Sequence, residues 1–303
     1  MLKKKVHAGV TALLNTFAIS DAGKEREVNE DYFGYLADDF GSLFIVCDGM
    51  GGNVGGDLAA RTAVNTILEH FSELPNEYHP QKELQAAFSR ANTVIRQMAD
   101  EDPSLRGMGS TAASVLIIED NAYLAHLGDS RVYIFRRGKL FQLTKDHSMV
   151  QHMVDKKKIK PSKAANHELK HLITKALGPL DEVSAETAFP FQLYNDDILL
   201  LCSDGLTNEL TDKQIRNILR KYPIKEAAEH LLQEANASGG KDNITVQLVE
   251  ISGIYNLPDD YKDQNPVTKH IDYKKLIQIS YVGLGILALV ILFYLSYKLF
   301  FKG

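Results

Sequence analysis

The chain has 303 residues, 45% of them hydrophobic, and a formal net charge of -5. This length suits one large domain or two small ones, and the composition is that of a globular protein with a substantial core. Residues 269–303 carry five lysines against one aspartate, a net charge of +4 that leaves about -9 for the rest. So acidic a main domain argues against nucleic-acid binding.

Runs rich in Val, Ile, Leu and Tyr predict strands in the main domain. The predicted strands are residues 43–47, 111–118, 122–127, 132–135, 198–202 and 244–251. The dipeptides Asp120-Asn121 and Arg137-Gly138 are turn signals, so the strands around them are expected to form an antiparallel meander.

Amphipathic stripes predict helices between these strands. Apolar residues recur at i, i+3, i+4 and i+7 over residues 64–71, and a similar stripe runs over residues 84–98. Thr211 and Gln214 have the spacing of a capping box, which predicts the start of a third helix. Blocks of strands and helices in this order indicate a layered α+β domain, with sheets packed together and helices outside.

Residues 145–180 break the pattern and are predicted to form a surface flap of short helices. The segment holds a lysine cluster, Lys156, Lys157, Lys158, Lys160 and Lys163, and four histidines, His147, His152, His167 and His171. The lysines are either a surface for an acidic or phosphorylated partner or a solvated helix face. The histidines do not indicate a zinc site.

The C-terminal residues are predicted to form a membrane anchor. Residues 276–297 contain no charge, and about 20 apolar residues suffice to cross a bilayer. A buried core helix is the alternative, but a core helix of this length would normally show a polar face. Residues 254–270, with two prolines and many polar groups, are expected to link the transmembrane segment, residues 271–303, to the main domain.

The main domain is expected on the cytoplasmic side of a single-pass membrane protein. No secretory signal is evident at the N-terminus, and the lysines around the span give a slight bias in the same direction. Cys47 and Cys202 do not suggest a disulfide framework, which fits a reducing compartment. Each lies near a key aspartate, so a redox switch is one hypothesis and a small buried hydrophobe is the other.

Acidic residues stand at the ends of predicted strands far apart in the sequence. Asp48, Asp129 and Asp204 each follow an apolar run, and glycine comes directly after Asp48 and Asp204. Carboxylates are costly to bury unless a cation neutralises them, and hard divalent cations prefer oxygen ligands. Gathered at one rim of the sheets, these residues would form an all-oxygen metal site.

Such a site could hold two Mg²⁺ or Mn²⁺ ions about 4 Å apart, with a bridging water activated to hydroxide. Asp48 is the expected bridging ligand, and Gly49 can offer its carbonyl oxygen because no side chain crowds the ion. The other expected ligands are Asp204 and Asp242 on one ion and, through waters, Glu30 and Asp31 on the other. Arg26 could clamp two phosphoryl oxygens, which indicates in-line hydrolysis of a phosphate ester; a surface arginine is the equal alternative.

Seven short motifs, in this order, resemble those of the type 2C, metal-dependent protein phosphatases, and the Asp48-Gly49-Met50-Gly51-Gly52 form resembles the bacterial branch. The motifs are Arg26-x-x-Asn29-Glu30-Asp31, Asp48-Gly49-Met50-Gly51-Gly52, Gly109-Ser110-Thr111-Ala112, Gly128-Asp129-Ser130-Arg131, Asp146-His147-Ser148, Ser203-Asp204-Gly205 and Asp242-Asn243. The resemblance covers about residues 15–251. It implies a layered α-β-β-α sandwich of two antiparallel sheets flanked by helices, in a catalytic domain of residues 1–253.

The resemblance also implies an activity and a site. The expected activity is hydrolysis of phosphoserine and phosphothreonine by in-line attack of a water that bridges two Mn²⁺ or Mg²⁺ ions. The implied ligands are Asp48, Asp204, Asp242 and the Gly49 carbonyl, with Glu30 and Asp31 near the second ion, Arg26 on the phosphate, and Asp129 with Asp204 on a possible third ion. Residues 145–180 match the variable flap of the family.

One departure from the family pattern concerns the proton donor. In eukaryotic relatives a histidine follows the Asp-Gly pair and is thought to protonate the leaving alkoxide, but Met50 stands there and cannot donate a proton. A metal-bound water or another group would have to do so. Phosphorylated proteins are the expected partners, including, by analogy with the family, a membrane serine/threonine kinase.

Two other functions remain open alternatives. A catalytically silent phosphoprotein binder would need a lost ligand, and none of the expected carboxylates is missing. An esterase for small phosphate metabolites would need a different pocket from the broad flap expected here.

Overall fold

The computed structural model describes residues 11–51, 55–75, 77–164, 167–188 and 190–267. The predicted transmembrane segment, residues 271–303, lies outside these ranges. Among the described residues, none of the helices is both long and apolar enough to span a bilayer.

Two antiparallel sheets form the centre of the domain. The first, in the order β1-β12-β11-β7-β8, consists of β1 (Leu13–Asp21), β12 (Ile244–Ser252), β11 (Ile198–Cys202), β7 (Arg131–Arg136) and β8 (Lys139–Gln142). The second, in the order β10-β6-β5-β3-β2, consists of β10 (Phe191–Gln192), β6 (Asn121–Leu127), β5 (Ala112–Ile118), β3 (Gly41–Met50) and β2 (Asp31–Asp38), with β4 (Gly109–Ser110) beside β3 and β9 (Glu186–Thr187) beside β6.

Helices cover the outer face of each sheet. They are α1 (Gly55–Ser72), α2 (Pro80–Glu101), α4 (Asp204–Glu209), α5 (Asp212–Lys221) and α6 (Ile224–Ser238), whereas α3 (Met149–Asp155) lies in the flap. The two predicted apolar stripes lie in α1 and α2, which pack on the seven-stranded sheet. The capping box of Thr211 and Gln214 opens α5, as predicted. Helices α4 to α6 pack on the five-stranded sheet.

Alternation along each strand builds the three apolar layers of this sandwich. In β3, Leu43, Ile45 and Cys47 pack against the helices, whereas Phe44 and Val46 pack between the two sheets. Successive side chains of a strand point to opposite faces, so one strand serves both layers. The predicted α+β sandwich of two antiparallel sheets is therefore confirmed, while the transmembrane helix stays a prediction.

The two long edge strands, β1 and β2, were not predicted. β1 and β2 lie at the outer edge of the two sheets, each with one strand neighbour. Their side chains are mostly half-buried or exposed, and Gly34 interrupts the apolar pattern of β2. Periodicity is weak in such strands because neither face is wholly buried.

The flap contains less helix than predicted. Its described part has one α-helix, α3, and one 3-10 turn at Pro161–Lys163. A single β-bridge from Ser148 to Ile173 joins the two ends of the flap, and another from Ser110 to Leu177 holds its second end beside β4.

The described part of the predicted linker lies against the domain. Arg136 Nη1 donates a 2.7 Å hydrogen bond to the Tyr261 hydroxyl, and Asn265 Nδ2 donates one of 2.6 Å to the carbonyl of Gln142. Lys139 and Asp263 form an ion pair of 2.9 Å. Residues 254–267 are therefore a strap on the domain surface, here called the C-terminal strap. The predicted domain boundary at residue 253 stays a prediction.

Candidate metal centre

The predicted ligands come together at one rim of the sandwich. Asp31 opens β2 and stands opposite Asp48 near the end of β3. Asp129 lies between β6 and β7, Asp204 is the first residue of α4, and Asp242 precedes β12. Both sheets thus contribute carboxylates. The negative charges of Asp31, Asp204, Asp129 and Asp242 all raise the pKa of Asp48.

Asp31 is buried, and only one of its two carboxylate oxygens accepts hydrogen bonds from described residues. Its Oδ2 accepts hydrogen bonds from Ser203 Oγ at 2.6 Å and from Thr245 Oγ1 at 2.7 Å, whereas the buried Oδ1 has no partner among the described residues. Burial raises the pKa of Asp31 to about 7, although both hydroxyl donors favour the charged form. A buried carboxylate oxygen without a donor is the ligand that a cation needs.

Asp48 is fixed by its backbone. Its N–H donates to Thr111 Oγ1 at 3.0 Å, and its carbonyl accepts from the Thr111 N–H at 2.9 Å. Thr111 Oγ1 in turn lies 2.7 Å from Ser130 Oγ. Partial desolvation, followed by repulsion from Asp31, raises the pKa of Asp48 well above its usual range. The carboxylate is thus held rigidly where negative charge is least stable without a cation.

Two glycines leave room for Glu30. A Cβ on Gly49 would clash with the carbonyl oxygens of Gly56 and Glu30, and one on Gly56 would clash with the Glu30 carboxylate. The Gly49 N–H donates to the Glu30 carbonyl at 3.1 Å. Burial raises the pKa of Glu30, while the nearby Arg26 opposes that shift. Only glycine fits at these positions, which explains the Asp-Gly pair at the end of β3.

Asp129 and Asp204 form the part of the centre nearest the flap. Asp129 is buried, its Oδ1 has no partner among the described residues, and burial and Asp204 raise its pKa well above the usual range. Asp204 Oδ2 accepts a 2.7 Å hydrogen bond from Asn208 Nδ2. Its pKa is raised first by burial and then by the charge of Asp242. The two carboxylates could share a further ion.

Arg26 lies at the metal centre, as predicted, but the residue that it contacts in the structure is Asp242, itself a predicted metal ligand. Its Nη2 donates a 2.9 Å hydrogen bond to Asp242 Oδ2, and the arginine side chain is 48% exposed. The other Asp242 oxygen accepts from the Asn243 N–H at 2.9 Å. The guanidinium is therefore positioned beside the ligands with part of its surface open to a substrate. Its role as a phosphate clamp stays a prediction.

Asn243, Ser203 and Thr245 organise the site and were not predicted to do so. Asn243 Oδ1 accepts from the Glu30 N–H at 2.9 Å, and its Nδ2 donates to the carbonyls of Ala22 and Val28 at 3.0 and 2.9 Å. Ser203 and Asn243 are sequence neighbours of the predicted ligands Asp204 and Asp242, and that position in the chain is the one sequence feature that points to their role. Thr245 gave none, because only folding brings it to Asp31.

A cavity of about 480 Å³ opens beside Asp129 and Asp204, between the flap and the α4–α5 segment. Asp146 on its wall forms a bidentate pair with Arg131, at 2.9 Å from Nε and 2.6 Å from Nη2. Arg131 Nη1 also donates to the Tyr133 hydroxyl at 2.9 Å. Asp146 is therefore neutralised by Arg131 within the wall of the cavity.

The predicted ligand set fits hard divalent cations. Asp31 and Asp129 present buried oxygens without partners among the described residues, and burial raises the pKa of Glu30, Asp31, Asp48, Asp129 and Asp204. All the donors are oxygen, the preference of Mg²⁺ and Mn²⁺. Among the described residues only Asp242 of this group is paired with a cationic side chain, and repulsion among the remaining carboxylates is the electrostatic pattern of a cation site.

The two cysteines are poor candidates for a redox switch. Cys47 and Cys202 are fully buried in different apolar layers, and burial raises the pKa of both thiols. A reactive cysteine needs exposure and a lowered pKa. The structure supports the interpretation of both as small buried hydrophobes.

His147 belongs to a second polar cluster, with His126 and Glu186. Its Nε2 lies 3.0 Å from Glu186 Oε2, and its ring stacks on that of His126 with centroids 4.8 Å apart and planes 10° from parallel. The in-plane lone pairs of two stacked rings do not converge on one ion. The cluster therefore joins the flap to the sheet and is a poor chelate.

Comparison with known proteins identifies relatives of this chain. The family model for Protein phosphatase 2C matches residues 22–248. The serine/threonine phosphatase stp of Listeria innocua is 36% identical over 237 residues, which cover 76% of this chain and 93% of that protein. The solved structure of the Streptococcus agalactiae serine/threonine phosphatase has a TM-score of 0.75 and 31% identity, covering 79% of this chain and all of that one. The catalytic domain of the phosphatase PstP, solved with two manganese ions, has a TM-score of 0.70 and 33% identity, covering 80% of this chain and 99% of that one.

Proposed function

Since the chain belongs to the protein phosphatase 2C family, we propose that it is a metal-dependent protein phosphatase that hydrolyses phosphoserine and phosphothreonine. The observation that carries this proposal is the convergence of five aspartates from both sheets at one rim. Two of them, Asp31 and Asp129, hold buried oxygens without partners among the described residues. The manganese ions of the PstP structure support Mn²⁺ or Mg²⁺ as the cofactor, with two ions and a possible third at Asp129 and Asp204.

Divalent ions bound here would activate a water and neutralise charge on the phosphoryl group. Asp48, Asp204, Asp242 and the Gly49 carbonyl would hold them, with Glu30 and Asp31 on the side of β2. The protein contributes rigidity, since Ser203, Thr245 and Thr111 fix the carboxylates and their strands before any substrate arrives.

Arg26 orients the substrate for in-line attack. A guanidinium presents parallel donors that match two phosphoryl oxygens, and Arg26 is 48% exposed beside the expected ligand Asp242. Holding the phosphorus so that the attacking water lies opposite the leaving serine or threonine oxygen lowers the entropic part of the barrier. The leaving oxygen must gain a proton, and Met50, next to Gly49, has no proton to give.

We further propose that the protein is a single-pass membrane protein with its catalytic domain in the cytoplasm. The support is the uncharged stretch of residues 276–297 between lysines, together with the two unpaired cysteines. Its substrates would then include membrane proteins, with a membrane serine/threonine kinase as the expected partner. That partner is inferred from the shared location and by analogy with the family.

A direct assay separates this proposal from its alternatives. The full-length protein is stripped with a chelator, and hydrolysis of a phosphothreonine peptide and of small phosphoesters is measured with and without Mn²⁺. The proposal predicts Mn²⁺-dependent hydrolysis of the peptide, lost in Asp204→Asn and kept in the surface control Asp38→Asn. Peptide binding without hydrolysis would indicate a silent binder. Hydrolysis of small esters alone would indicate a metabolite esterase.

A further inference from the structure

The flap carries the densest positive charge of the described residues. Residues 156–163 contain five lysines and no acidic residue, in a protein whose first 268 residues carry about -9. The lysine side chains are exposed, and none of them forms an ion pair with a described residue. The acidic residue just before them, Asp155, is already paired with Lys145 at 2.8 Å. The cluster thus has no internal counterion.

The backbone holds these lysines in a defined arrangement. The Lys158 N–H donates to the Met153 carbonyl at 2.8 Å and the Lys157 N–H to the Val154 carbonyl at 2.9 Å, which is the Schellman end of α3. Lys157 takes a φ of +55°, where glycine is the usual residue. A lysine therefore stands where local geometry favours glycine, and the following turn, with Lys163 N–H on the Lys160 carbonyl, keeps the segment ordered.

The cluster borders the cavity beside the metal centre. Pro161 and Ala164 line that cavity on the flap side, and Asp129 and Asp204 line it on the opposite side. Lys160 directly precedes Pro161 and Lys163 directly precedes Ala164 in the chain, so these two lysines stand next to the flap wall of the cavity. At about 480 Å³ the cavity is large enough to hold substrate side chains beyond the phosphorylated residue.

We propose that this lysine cluster binds acidic residues of the phosphoprotein substrate, outside the phosphorylated side chain, and selects substrates with an acidic flank. The inference rests on the proposed function. Charge complementarity favours it, because a local positive surface on an acidic protein attracts an acidic segment while the rest repels it. Exposed Leu169 and Leu172 on the flap would suit a membrane contact. The flap and the predicted metal ligands line the same cavity, however, which favours the substrate as the occupant.

The test compares two phosphothreonine peptides of equal length, one flanked by four glutamates and one by four glutamines. The full-length protein is assayed with Mn²⁺ in neutral detergent. Wild type should show a kcat/KM ratio of about 5- to 10-fold in favour of the acidic peptide, since each exposed charge pair contributes a factor of about two. The ratio should fall toward one in 0.5 M NaCl, where charges are screened over a few ångströms.

Matched variants assign the preference to the flap. Lys156→Gln, Lys158→Gln and Lys160→Gln together should reduce the ratio to within about twofold of one. Lys157 is left in place because its φ belongs to the helix end. The control combines Lys82→Gln, Lys221→Gln and Lys225→Gln, three exposed lysines on other helices, and should keep the wild-type ratio.

Other outcomes overturn the proposal. Equal turnover of both peptides by wild type removes the preference while leaving the phosphatase function intact. A ratio that survives in the flap variant, or is lost equally in the control, shows that the cluster is not the selective surface. A preference seen only with anionic phosphatidylglycerol in the micelles makes the cluster a membrane contact. If wild type hydrolyses neither peptide, the proposed function fails and this inference fails with it.

Discussion

Ser203 Oγ donates a 2.6 Å hydrogen bond to Asp31 Oδ2 across the gap between the two sheets. Ser203 follows β11 of one sheet, and Asp31 opens β2 of the other. Thr245 Oγ1 donates to the same oxygen at 2.7 Å, which leaves Oδ1 as the free ligand atom. Packing of the sheets thus fixes which oxygen of Asp31 faces the metal centre.

Ser203→Ala should weaken metal binding more than it slows chemistry. A hydrogen bond to a charged group contributes about 1.5–3 kcal/mol, so the Mn²⁺ concentration for half-maximal activity should rise about tenfold or more. At saturating Mn²⁺ most of the activity should return. Titration of phosphatase activity with Mn²⁺ measures both, with the exposed Ser72→Ala as control. An unchanged Mn²⁺ requirement would show that Asp31 needs no help in orientation.

Removal of the metal ions should abolish activity reversibly. Substitution of a ligand residue should abolish activity even when Mn²⁺ is added back. Changes in residues that only support metal ligands cost about 10- to 100-fold, so Asp204→Asn and Asp242→Asn should each lose more than about 100-fold. Activity of the chelated wild type should return with Mn²⁺, and circular dichroism should show both variants folded. Full turnover after exhaustive chelation, or near-normal turnover in either variant, would contradict the assigned centre.

Arg26→Ala should reduce kcat/KM on phosphopeptides by about 100-fold through lost positioning of the phosphoryl group. Calorimetry should still detect Mn²⁺ binding, because Arg26 contacts Asp242 but supplies no ligand oxygen. Arg26→Lys should recover little, since one ammonium cannot make two parallel hydrogen bonds. If Mn²⁺ affinity collapsed while turnover at saturating metal stayed normal, the arginine would serve the ion pair alone.

His126 should make the fold sensitive to acid. Its Nε2 donates to the Lys145 carbonyl at 2.8 Å, its buried Nδ1 has no described partner, and burial next to His147 lowers its pKa below the usual value. A lowered pKa means that the neutral form stabilises the fold fully above about pH 6.5. This stability is lost as pH falls from 6.5 through the folded-state pKa.

The melting temperature of the full-length protein in detergent, followed from pH 7.5 to 5, measures this effect. His126→Gln keeps a donor for the Lys145 carbonyl but cannot titrate, so its melting temperature should fall less steeply. The exposed His79→Gln should retain the wild-type slope. Equal slopes in all three proteins would assign the acid sensitivity to other groups.

Truncation after residue 270 should release an active enzyme that no longer sediments with membranes. The last described contact of the C-terminal strap with the core is made by Val267, so this cut spares the packed segment. Cell fractionation and an assay on one phosphopeptide compare truncated and full-length forms. A full-length protein that is soluble without detergent would mean that residues 276–297 do not span a bilayer.

A second cut, after residue 253, tests the strap itself. It removes Tyr261 and its hydrogen bond from Arg136, whose guanidinium is also paired with buried Asp197 at 2.6 Å. The free energy of unfolding should fall by at least about 2 kcal/mol relative to the longer truncation. Equal stability of the two truncated forms, measured by urea unfolding, would show that the strap is incidental.

The sequence alone determined the chemistry of the site and much of its framework. Oxygen ligands, glycine beside Asp48 and the apolar stripes of α1 and α2 are local patterns, and each follows from a few neighbouring residues. The lysine cluster of the flap is likewise visible as composition. These features survive in the structure because steric and hydrophobic requirements act on adjacent residues.

Only the tertiary structure decided which groups fix the ligands. Ser203 and Thr245 lie 172 and 214 residues from Asp31 along the chain, so no local pattern indicates their hydrogen bonds. The edge strands β1 and β2 depend on partners for their pairing, and the polar strap is held by Arg136. In each case a residue or strand depends on a partner outside its own local segment, which only the folded chain brings to it. The burial that raises the pKa of the ligands has the same origin, because it is created by the assembled rim.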